Sequence, residues 1–596
     1  MTPTARAQEW LRKLEEATAT PSADILREIF EPDSFWRDLT AISWNITTAE
    51  GIDEIVNMVE ETHPASHLSN FVVSEEPADE GNGVSRVSFT FDSANFHGKG
   101  IVRLRDGRAW TLLTSAQELI EYPEPKGRRR AMGAEHGEKT DTRNWLDRRS
   151  DRQATLGSTE QPYVLIVGGG QGGIALGARL KRLGVPTLIV DKADRPGDQW
   201  RSRYYSLCLH DPVWYDHLPY LPFPDDWPVF TPKDKMGDWL EHYVGIMDLD
   251  YWTNSECVQA SYDQNSATWT VEVKRDGEVV TLQPSHLVLA TGMSGVPNRP
   301  HLPGEEKFRG EIRHSSEHPG GEGDKGKNVI ILGANNSAHD IAADLYENGA
   351  YPVMIQRSST HIVKSDSLMR EVFGPLYSED AVEAGIDVDT ADLLFASWPY
   401  RLLPDVQRPV FEKIREDDRE FYDKLSSAGF LLDFGDDDSG LFLKYLRRGS
   451  GYYIDVGASE LVADGKIPVR SGVSIDHVTD NSVVLTDGTE LPADVIVLAT
   501  GYGSMNGWAA QLISPEVANE VGRCWGLGSD TTKDPGPWEG ELRNMWKPTQ
   551  VEGLWFHGGN LHQSRHYSRY LALQLKARYE GMDTPVYALA SVHHTG

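Results

Sequence analysis

Two glycine-rich turns stand where an apolar run gives way to a helix-like segment, the junction at which backbone N–H groups can hold a pyrophosphate. The first is Gly168-Gly169-Gly170-Gln171-Gly172-Gly173, between the run Tyr163 to Val167 and the helix-like Ile174 to Leu183. Gly168 permits a tight exit from the strand, Gly170 lets the backbone approach the phosphates, and Gly173 lets the helix close onto the strand. The next apolar run, Thr187 to Val190, ends at Asp191, placed to accept hydrogen bonds from adenosine ribose hydroxyls. Glycines, helix and terminal acid in register predict a dinucleotide site rather than an ordinary turn.

The second turn, Gly333-Ala334-Asn335-Asn336-Ser337-Ala338, follows Val329 to Leu332 and departs from the pattern. Asn335 takes the middle glycine place, where a Cβ crowds a pyrophosphate, while Ala338 is an accepted third member. Asn336 and Ser337 can offer side-chain hydrogen bonds in compensation, and Asn335 stays in the predicted contact set. The following run, Pro352 to Ile355, leads to Gln356-Arg357-Ser358 and not to an acid. A carboxylate there would repel a 2′-phosphate, whereas Arg357 and Ser358 can bind one. This favours NADPH, with NADH as the alternative. The plainer reading is a structural arginine at a strand end.

Between the turns lies Phe308-Arg309-Gly310-Glu311-Ile312-Arg313-His314-Ser315-Ser316-Glu317-His318. Phe308, Gly310 and His314 fit the Phe-x-Gly-x-x-x-His core of flavin-containing and Baeyer–Villiger monooxygenases, and two flanking glycine turns are that family's order. Leu498-Ala499-Thr500-Gly501-Tyr502 is similar to its second signature, and Gly197-Asp198-Gln199-Trp200 to its Gly-Gly-x-Trp element, with Asp198 replacing a glycine. His318 stands where the family usually has Tyr, Phe or Trp. With a long N-terminal extension, the chain resembles most the type II flavin-containing monooxygenases, some of which perform Baeyer–Villiger oxidation. The resemblance runs from about Tyr163 to the C-terminus.

That resemblance implies FAD at the first turn, NADPH at the second, and a flavin peroxide as the oxidant. Aligning the segment after Trp200 places His210 where animal relatives carry a flavin-facing Asn, which makes His210 the leading peroxide contact. Its plainer reading is a loop histidine paired with Asp211. Trp200, Arg201 and Asp211 lie on the segment expected to pass around the flavin ring, and Gln199 is an expected cofactor contact. Asn560 and Leu561 stand where the family's terminal turn meets the ring, after Phe556 and before a helix expected over Ser568 to Ala577. His210, Asp211 and Asn560 are the expected catalytic set. Lys192, Ala290, Thr291, Gly292, Ser315, Thr500, Gly501 and Tyr502 join the glycine turns as expected cofactor contacts, and His314 is read as a residue coupling the nucleotide domains.

Composition bounds the rest. A chain of 596 residues exceeds one ordinary core. The formal net charge of −32 opposes nucleic acid or anionic membrane as a partner. No apolar run approaches the ~20 residues of a membrane helix, and Met1 to Glu16 lacks a signal peptide's core, so the cytoplasm is expected. Cys208, Cys257 and Cys524 are far apart in sequence. Disulfide reductases share the two-dinucleotide layout but need a proximal cysteine pair, and no Cys/His cluster has metal-ligand spacing. The expected partners are therefore a small organic substrate and dioxygen.

These observations predict an α/β fold with two Rossmann-like domains, one for FAD and one for NADPH, behind a small α+β unit. Residues 1–122 read as that unit: a helix over Ala5 to Ala17, alternating stretches Val87 to Phe91 and Ile101 to Arg105, and a hairpin at Asp106-Gly107. It resembles the cone of the SnoaL-like superfamily, with Trp36, Asp38 and His97 as pocket candidates. Its bland reading is a dimerisation or docking module, which allows a homodimer and predicts that its removal leaves flavin binding intact. Residues 123–160 form the expected linker. The FAD domain takes 161–300 and 496–596, and the NADPH domain takes 301–495 with an insertion at about 363–449. Two readings of the chemistry stand: oxygenation of a ketone or of a nitrogen or sulfur centre, and, alternatively, YUCCA-like oxidative decarboxylation of a 2-oxo acid.

Overall fold

A computed structural model describes residues 2–133, 141–293 and 296–591. Part of the expected linker, 134–140, lies outside the described residues.

Short, fully buried apolar strands build the first nucleotide sheet. Val164–Val167, Thr187–Val190 and His286–Leu289 are buried along their whole length, as parallel strands covered on both faces must be. The order is Tyr251–Trp252, Thr187–Val190, Val164–Val167, His286–Leu289, Leu554–Phe556, all parallel. The last strand arrives from the far end of the sequence. The second sheet has the order Glu311–His314, Val495–Leu498, Asn328–Leu332, Tyr351–Gln356, Val469–Ser471, also parallel throughout.

The two sheets repeat one device. A Cβ on Gly168 would lie 2.4 Å from the Ala290 carbonyl oxygen, and one on Gly333 would lie 2.4 Å from that of Ala499. Their φ values of +107° and +140° add a second reason for glycine. The chain crosses between the sheets twice, and the crossings lie side by side. Asn298 N–H donates to the Gly501 carbonyl at 2.9 Å, and Gly503 N–H to that of Val296 at 2.9 Å.

In the N-terminal unit, the helices Pro3–Ala19, Ala23–Ile29 and Ile52–Thr62 accompany a seven-stranded sheet. The hairpin turn has Asp106 at φ 47° and Gly107 at 82°, the paired left-handed residues of a type I′ turn. The pocket candidates do not come together. Trp36 is fully buried and donates its indole N–H to Thr114 Oγ1 at 2.8 Å. Asp38 accepts from Ser43 Oγ, Thr114 Oγ1 and the Ile42 and Ser43 N–H groups. His97 instead sits at a surface cleft of about 250 Å³, bonded to Asp92. Two expected buried pocket groups are thus satisfied core groups.

This unit is also joined to the rest of the molecule. Arg37, 1% exposed, donates to Glu541 through Nε and Nη2 at 2.6 and 2.8 Å and to the Ala396 carbonyl at 2.6 Å. Arg103 bonds Ser397 and lies over the Trp398 ring. Leu573 and Ala577 of the terminal helix belong to the unit's own apolar core.

One expectation in the C-terminal half changes. The terminal helix runs Leu561–Tyr579, starting well before Ser568, because Asn560 caps it through the Gln563 N–H. The insertion carries two consecutive helices, Leu403–Asp417 and Arg419–Ser427. At the break, Asp418 accepts bonds from Lys364 and Ser367. In the acidic run that follows, Asp433 pairs with Lys444 and Asp437 with Arg447, each at 2.6 Å. Among the described residues no helix is long and apolar enough to cross a membrane.

Candidate active site

The helices Gln171–Arg182 and Asn336–Glu347 each begin without a side-chain cap, at Gly170 and Asn335. Their first N–H groups are therefore left for an anion, which the helix dipole also favours. The three key glycines of the first turn differ in what fills their surroundings. A Cβ on Gly173 would meet the Gly168 carbonyl oxygen at 2.0 Å, so that glycine serves helix–strand packing. A Cβ on Gly170 would find nothing within 4 Å, so that side of the turn is open space, the shape a pyrophosphate requires. At the crossing packed against Gly168 the Thr291 hydroxyl is buried without a hydrogen-bond partner, an orphan that a ligand there can satisfy. Open cradle, uncapped N–H groups and orphan hydroxyl fit a dinucleotide. Gln171 spans the turn to the Gly559 carbonyl at 3.4 Å. His557 lies against Gly172, its pKa pushed down to about 3 by burial, so a neutral imidazole backs the turn.

Asp191 ends its strand as expected, with both oxygens already engaged. Oδ2 accepts from Gly169 N–H and Gln199 Nε2, both at 2.6 Å, and Oδ1 from Ala193 N–H at 2.8 Å. A ribose must share these lone pairs. Lys192 is exposed, and Trp200 is half-buried against the FAD-side core. Arg201 departs from the expectation: its guanidinium bonds Asp198, Asp238, Glu241 and the Pro196 carbonyl, which leaves it no free direction for a cofactor.

At the second turn, Asn335 Oδ1 accepts from Thr360 Oγ1 at 3.3 Å, and Asn336 Oδ1 from Ile454 N–H at 3.1 Å. The side-chain compensation expected of Asn336 thus goes to the protein, while Ser337 is half-buried. Arg357 and Ser358 are exposed beyond Tyr351–Gln356, and no hydrogen bond or ion pair among the described residues engages Arg357. His314 does tie the two crossings: Nε2 lies 3.1 Å from the Gly501 carbonyl and Nδ1 2.8 Å from Ser316 Oγ. Ser315 is buried in the same turn. Thr500 donates to the Asn298 carbonyl, and Tyr502 accepts from Arg203 at 3.3 Å.

His210 makes a contact that its sequence did not suggest. Its Nε2 is 3.2 Å from Asp340 Oδ2, on the second nucleotide helix, and its ring meets Tyr453 edge-on. Tyr204 donates to the same carboxylate at 2.5 Å. Nε2 is thus engaged across the junction, and no hydrogen bond joins His210 to Asp211 among the described residues, so the plainer reading of a loop pair is not the arrangement found. Burial disfavours charge on His210, but Asp340, with Asp211 and Asp455, outweighs it and holds the pKa above the ordinary value. The stabilisation from this pair is present in full below about pH 6.5, the unfolded value, and is lost as pH rises through the raised folded one. Asp340→Asn is therefore expected to lower Tm more at pH 6 than at pH 9. An equal loss at both would remove the charge from the account.

Asn560 caps the terminal helix, donates Nδ2 to Tyr215 OH at 3.3 Å, and gives its N–H to Tyr445 OH at 3.1 Å. Tyr445 in turn donates to Gln563 at 2.6 Å. Leu561, expected at the cofactor, is 2% exposed inside the FAD-side core. Tyr215 stacks on His562 at 4.5 Å, and beneath them Asp392 binds Arg565 through both oxygens at 2.8 and 2.9 Å. Tyr204, Tyr215, Asp216, Asp340, Asp392 and Tyr445 were not in the predicted set. They lie scattered over some 240 positions of sequence, and no spacing pattern links them.

Comparison with known proteins decides the family. The profile described as flavin-binding monooxygenase-like matches residues 202–369, and that of an NAD(P)-binding Rossmann-like domain matches 166–224. Indole-3-pyruvate monooxygenase YUCCA1 of Oryza sativa subsp. japonica is 31% identical over 345 residues, 58% of this chain and 77% of that protein. The chain belongs to the flavin-binding monooxygenase-like family. A further relative, the probable indole-3-pyruvate monooxygenase YUCCA9 of Arabidopsis thaliana, is 30% identical over 57% of this chain and 75% of its own. A closed crystal structure of cyclohexanone monooxygenase shares the fold, with a TM-score of 0.51 and 17% identity, over 70% of this chain and 85% of that one. The protein is a flavin-dependent monooxygenase that uses FAD and NADPH. As such a monooxygenase it has no use for a dithiol, and Cys208, Cys257 and Cys524 are all free.

Proposed function

We propose that this monooxygenase oxygenates a small neutral or cationic organic substrate, by Baeyer–Villiger insertion beside a ketone or by transfer to nitrogen or sulfur. The observation that carries the reading is the commitment of the cation nearest Tyr215 and Asn560. The Arg565 guanidinium is spent on Asp392 and on the Tyr215 and His217 carbonyls, while burial holds Asp216 in its neutral form. His562 and His566 are kept neutral, their pKa values lowered chiefly by burial. A carboxylate substrate would find no uncommitted partner in Arg565, His562 or His566.

Bound FAD supplies two-electron redox and oxygen chemistry, with the hydride coming from NADPH. Gly168 to Gly173 and Thr291 would hold the FAD, and the Asn335 helix start with Arg357 and Ser358 the NADPH. Tyr215, Tyr445 and Asn560 form a bonded set at the start of the terminal helix, the group best placed to orient the flavin ring. His210 and Tyr204 hold the two nucleotide units together through Asp340. We assign residues 161–300 with 496–596 to FAD and 301–495 to NADPH, and read residues 1–122 as a SnoaL-like unit built into a type II enzyme. A second reading, decarboxylation of a 2-oxo acid, is favoured by the names of the plant relatives.

NADPH consumption with a panel of ketones, thioethers, amines and 2-oxo acids, with products identified by mass spectrometry, separates the readings. A 2-oxo acid turned over best, with one carbon lost as carbon dioxide, would overturn the first. Arg357→Ala is expected to weaken NADPH more than NADH by about 1–3 kcal/mol, the loss of one charge-assisted contact. Equal changes in KM for both would mean that Arg357 does not read the phosphate.

A further inference from the structure

The helix Val388–Ala396 of the insertion is held at its end by the N-terminal unit and along its side by the terminal helix. Its last carbonyls lack helical N–H partners and meet two buried arginines instead. Arg37 donates to the Ala396 carbonyl at 2.6 Å, and Arg103 to Ser397 Oγ at 2.9 Å and to its carbonyl at 3.3 Å. Their charge also suits the negative end of the helix dipole. Along the side, Asp389 and Asp392 are one turn apart and share a face, as do Arg565 and Arg569 on Leu561–Tyr579. Asp389 pairs with Arg569 at 3.2 Å and Asp392 with Arg565 at 2.8 Å, and these two ion pairs fix the register of the helices.

Asp392 is the branch point. It is fully buried, and its oxygens accept from Arg565 Nε and Nη2 at 2.9 and 2.8 Å and from Tyr377 OH at 3.0 Å. Burial opposes its charge, but Arg565 and His562 outweigh that and hold the carboxyl well below the usual range. The pair therefore stays ionised. With Nε and Nη2 fixed, the planar guanidinium aims Nη1 at the Tyr215 and His217 carbonyls, which accept at 2.8 and 2.6 Å. Those bonds set the backbone that carries the Tyr215 ring. The ring stacks on His562 at 4.5 Å, and its hydroxyl accepts from Asn560 Nδ2 at 3.3 Å. Each link from Arg37 and Arg103 to Tyr215 is thus a direct bond or one turn of helix.

We propose that Asp392 is a positioning residue for oxygenation: anchored by Arg37 and Arg103 of the N-terminal unit, it aims Arg565 at the Tyr215 and His217 carbonyls and so keeps Tyr215 and Asn560 in place. This role rests on the reading that Tyr215 and Asn560 orient the flavin ring. Asp392 touches neither substrate nor cofactor, and the N-terminal unit acts on the chemistry only through it. A reacting group about 1 Å out of place can lose about a hundredfold in rate. Oxygenation slowed in that way yields to the wasteful reaction, in which NADPH, dioxygen and a proton give NADP+ and hydrogen peroxide. Both electrons of the hydride then stay on oxygen, and the substrate is left unchanged.

Hydrogen–deuterium exchange of the holoenzyme tests the bonds without turnover. Asp392→Asn should speed exchange of the amides over residues 213–217 by at least about tenfold, while the Gly168 to Gly173 turn exchanges as in wild type. Arg103→Met, which loosens the same helix from the N-terminal unit, should act in the same direction and more weakly. Turnover gives the second readout. Asp392→Asn should form at least about tenfold less product per NADPH, with hydrogen peroxide making up the difference, and Asp392→Glu should recover part of it. Because Asp392 acts through Tyr215, its loss and that of Tyr215→Phe should not multiply in the double variant. Wild-type exchange over residues 213–217 in Asp392→Asn, wild-type coupling in that variant, or losses that multiply would overturn the proposal. Should Asp392→Asn not fold, wild-type exchange and coupling in Arg103→Met do so by themselves. Wild-type coupling in Tyr215→Phe is a different failure: it removes Tyr215 from the flavin, and the role of Asp392 falls with that reading.

Discussion

Gly170→Val is expected to fold and to purify without colour. The three glycines of the first turn separate folding from binding, because only two have protein where a side chain would go. At Gly168 and Gly173 a Cβ would collide with backbone oxygens at 2.4 and 2.0 Å, so a larger residue there damages the turn itself. At Gly170 the space is open within 4 Å, and φ is −74°, which any residue can adopt. Valine fits the folded chain but fills the volume that a pyrophosphate needs. A near-native Tm with no flavin absorbance near ~450 nm is the expected pair of measurements. A yellow, fully loaded variant would remove FAD from this turn.

Arg37→Met is the second large effect, and it bears on the whole N-terminal unit. Arg37 and Glu541 are 1% and 3% exposed at their side chains, and Thr48 and Tyr567 complete the cluster. Removing the cation leaves the buried Glu541 carboxylate with the Thr48 hydroxyl as a hydrogen-bond partner and Lys547 as a neighbouring buried cation, a change worth about 3–5 kcal/mol. The midpoint of urea unfolding should fall accordingly, and adding Glu541→Gln should recover part of it by removing the stranded charge. An unchanged midpoint would show that the interface contributes nothing. By the same reasoning a chain lacking residues 1–122 should lose FAD, contrary to what its sequence suggests. Such a chain strands Glu541 and uncovers Leu573 and Ala577 on the helix that carries Asn560.

The nucleotide turns were legible because their chemistry is local. A strand, three glycines and a helix start are contiguous, and each glycine answers a backbone constraint within a few residues. The Asp106-Gly107 hairpin was legible for the same reason. The terminal helix was not, because His562, Gln563, Ser564, Arg565 and His566 are polar and yet buried, so no apolar face marked its first turns. Those side chains are inside because Asp392, Tyr215 and their neighbours satisfy them, and these partners come from the insertion and from the loop after Trp200. The N-terminal unit reads as separate for a related reason: Arg37 and Glu541 are 504 positions apart and, taken singly, are ordinary surface residue types.

By itself the sequence determined the two dinucleotide turns, the order of the sheets that carry them, and the absence of a cysteine pair, hence a flavin and nicotinamide oxidoreductase that is not a disulfide reductase. Only the tertiary structure decided which polar groups face one another. It turned His210 to Asp340, spent Arg201 on three carboxylates, made Asn560 a helix cap, and left Asp216 buried and unbonded. The physical reason is range. Backbone conformation and phosphate cradling are fixed by neighbours in the chain, whereas the charge state and hydrogen bonding of a side chain depend on burial and on partners from distant segments.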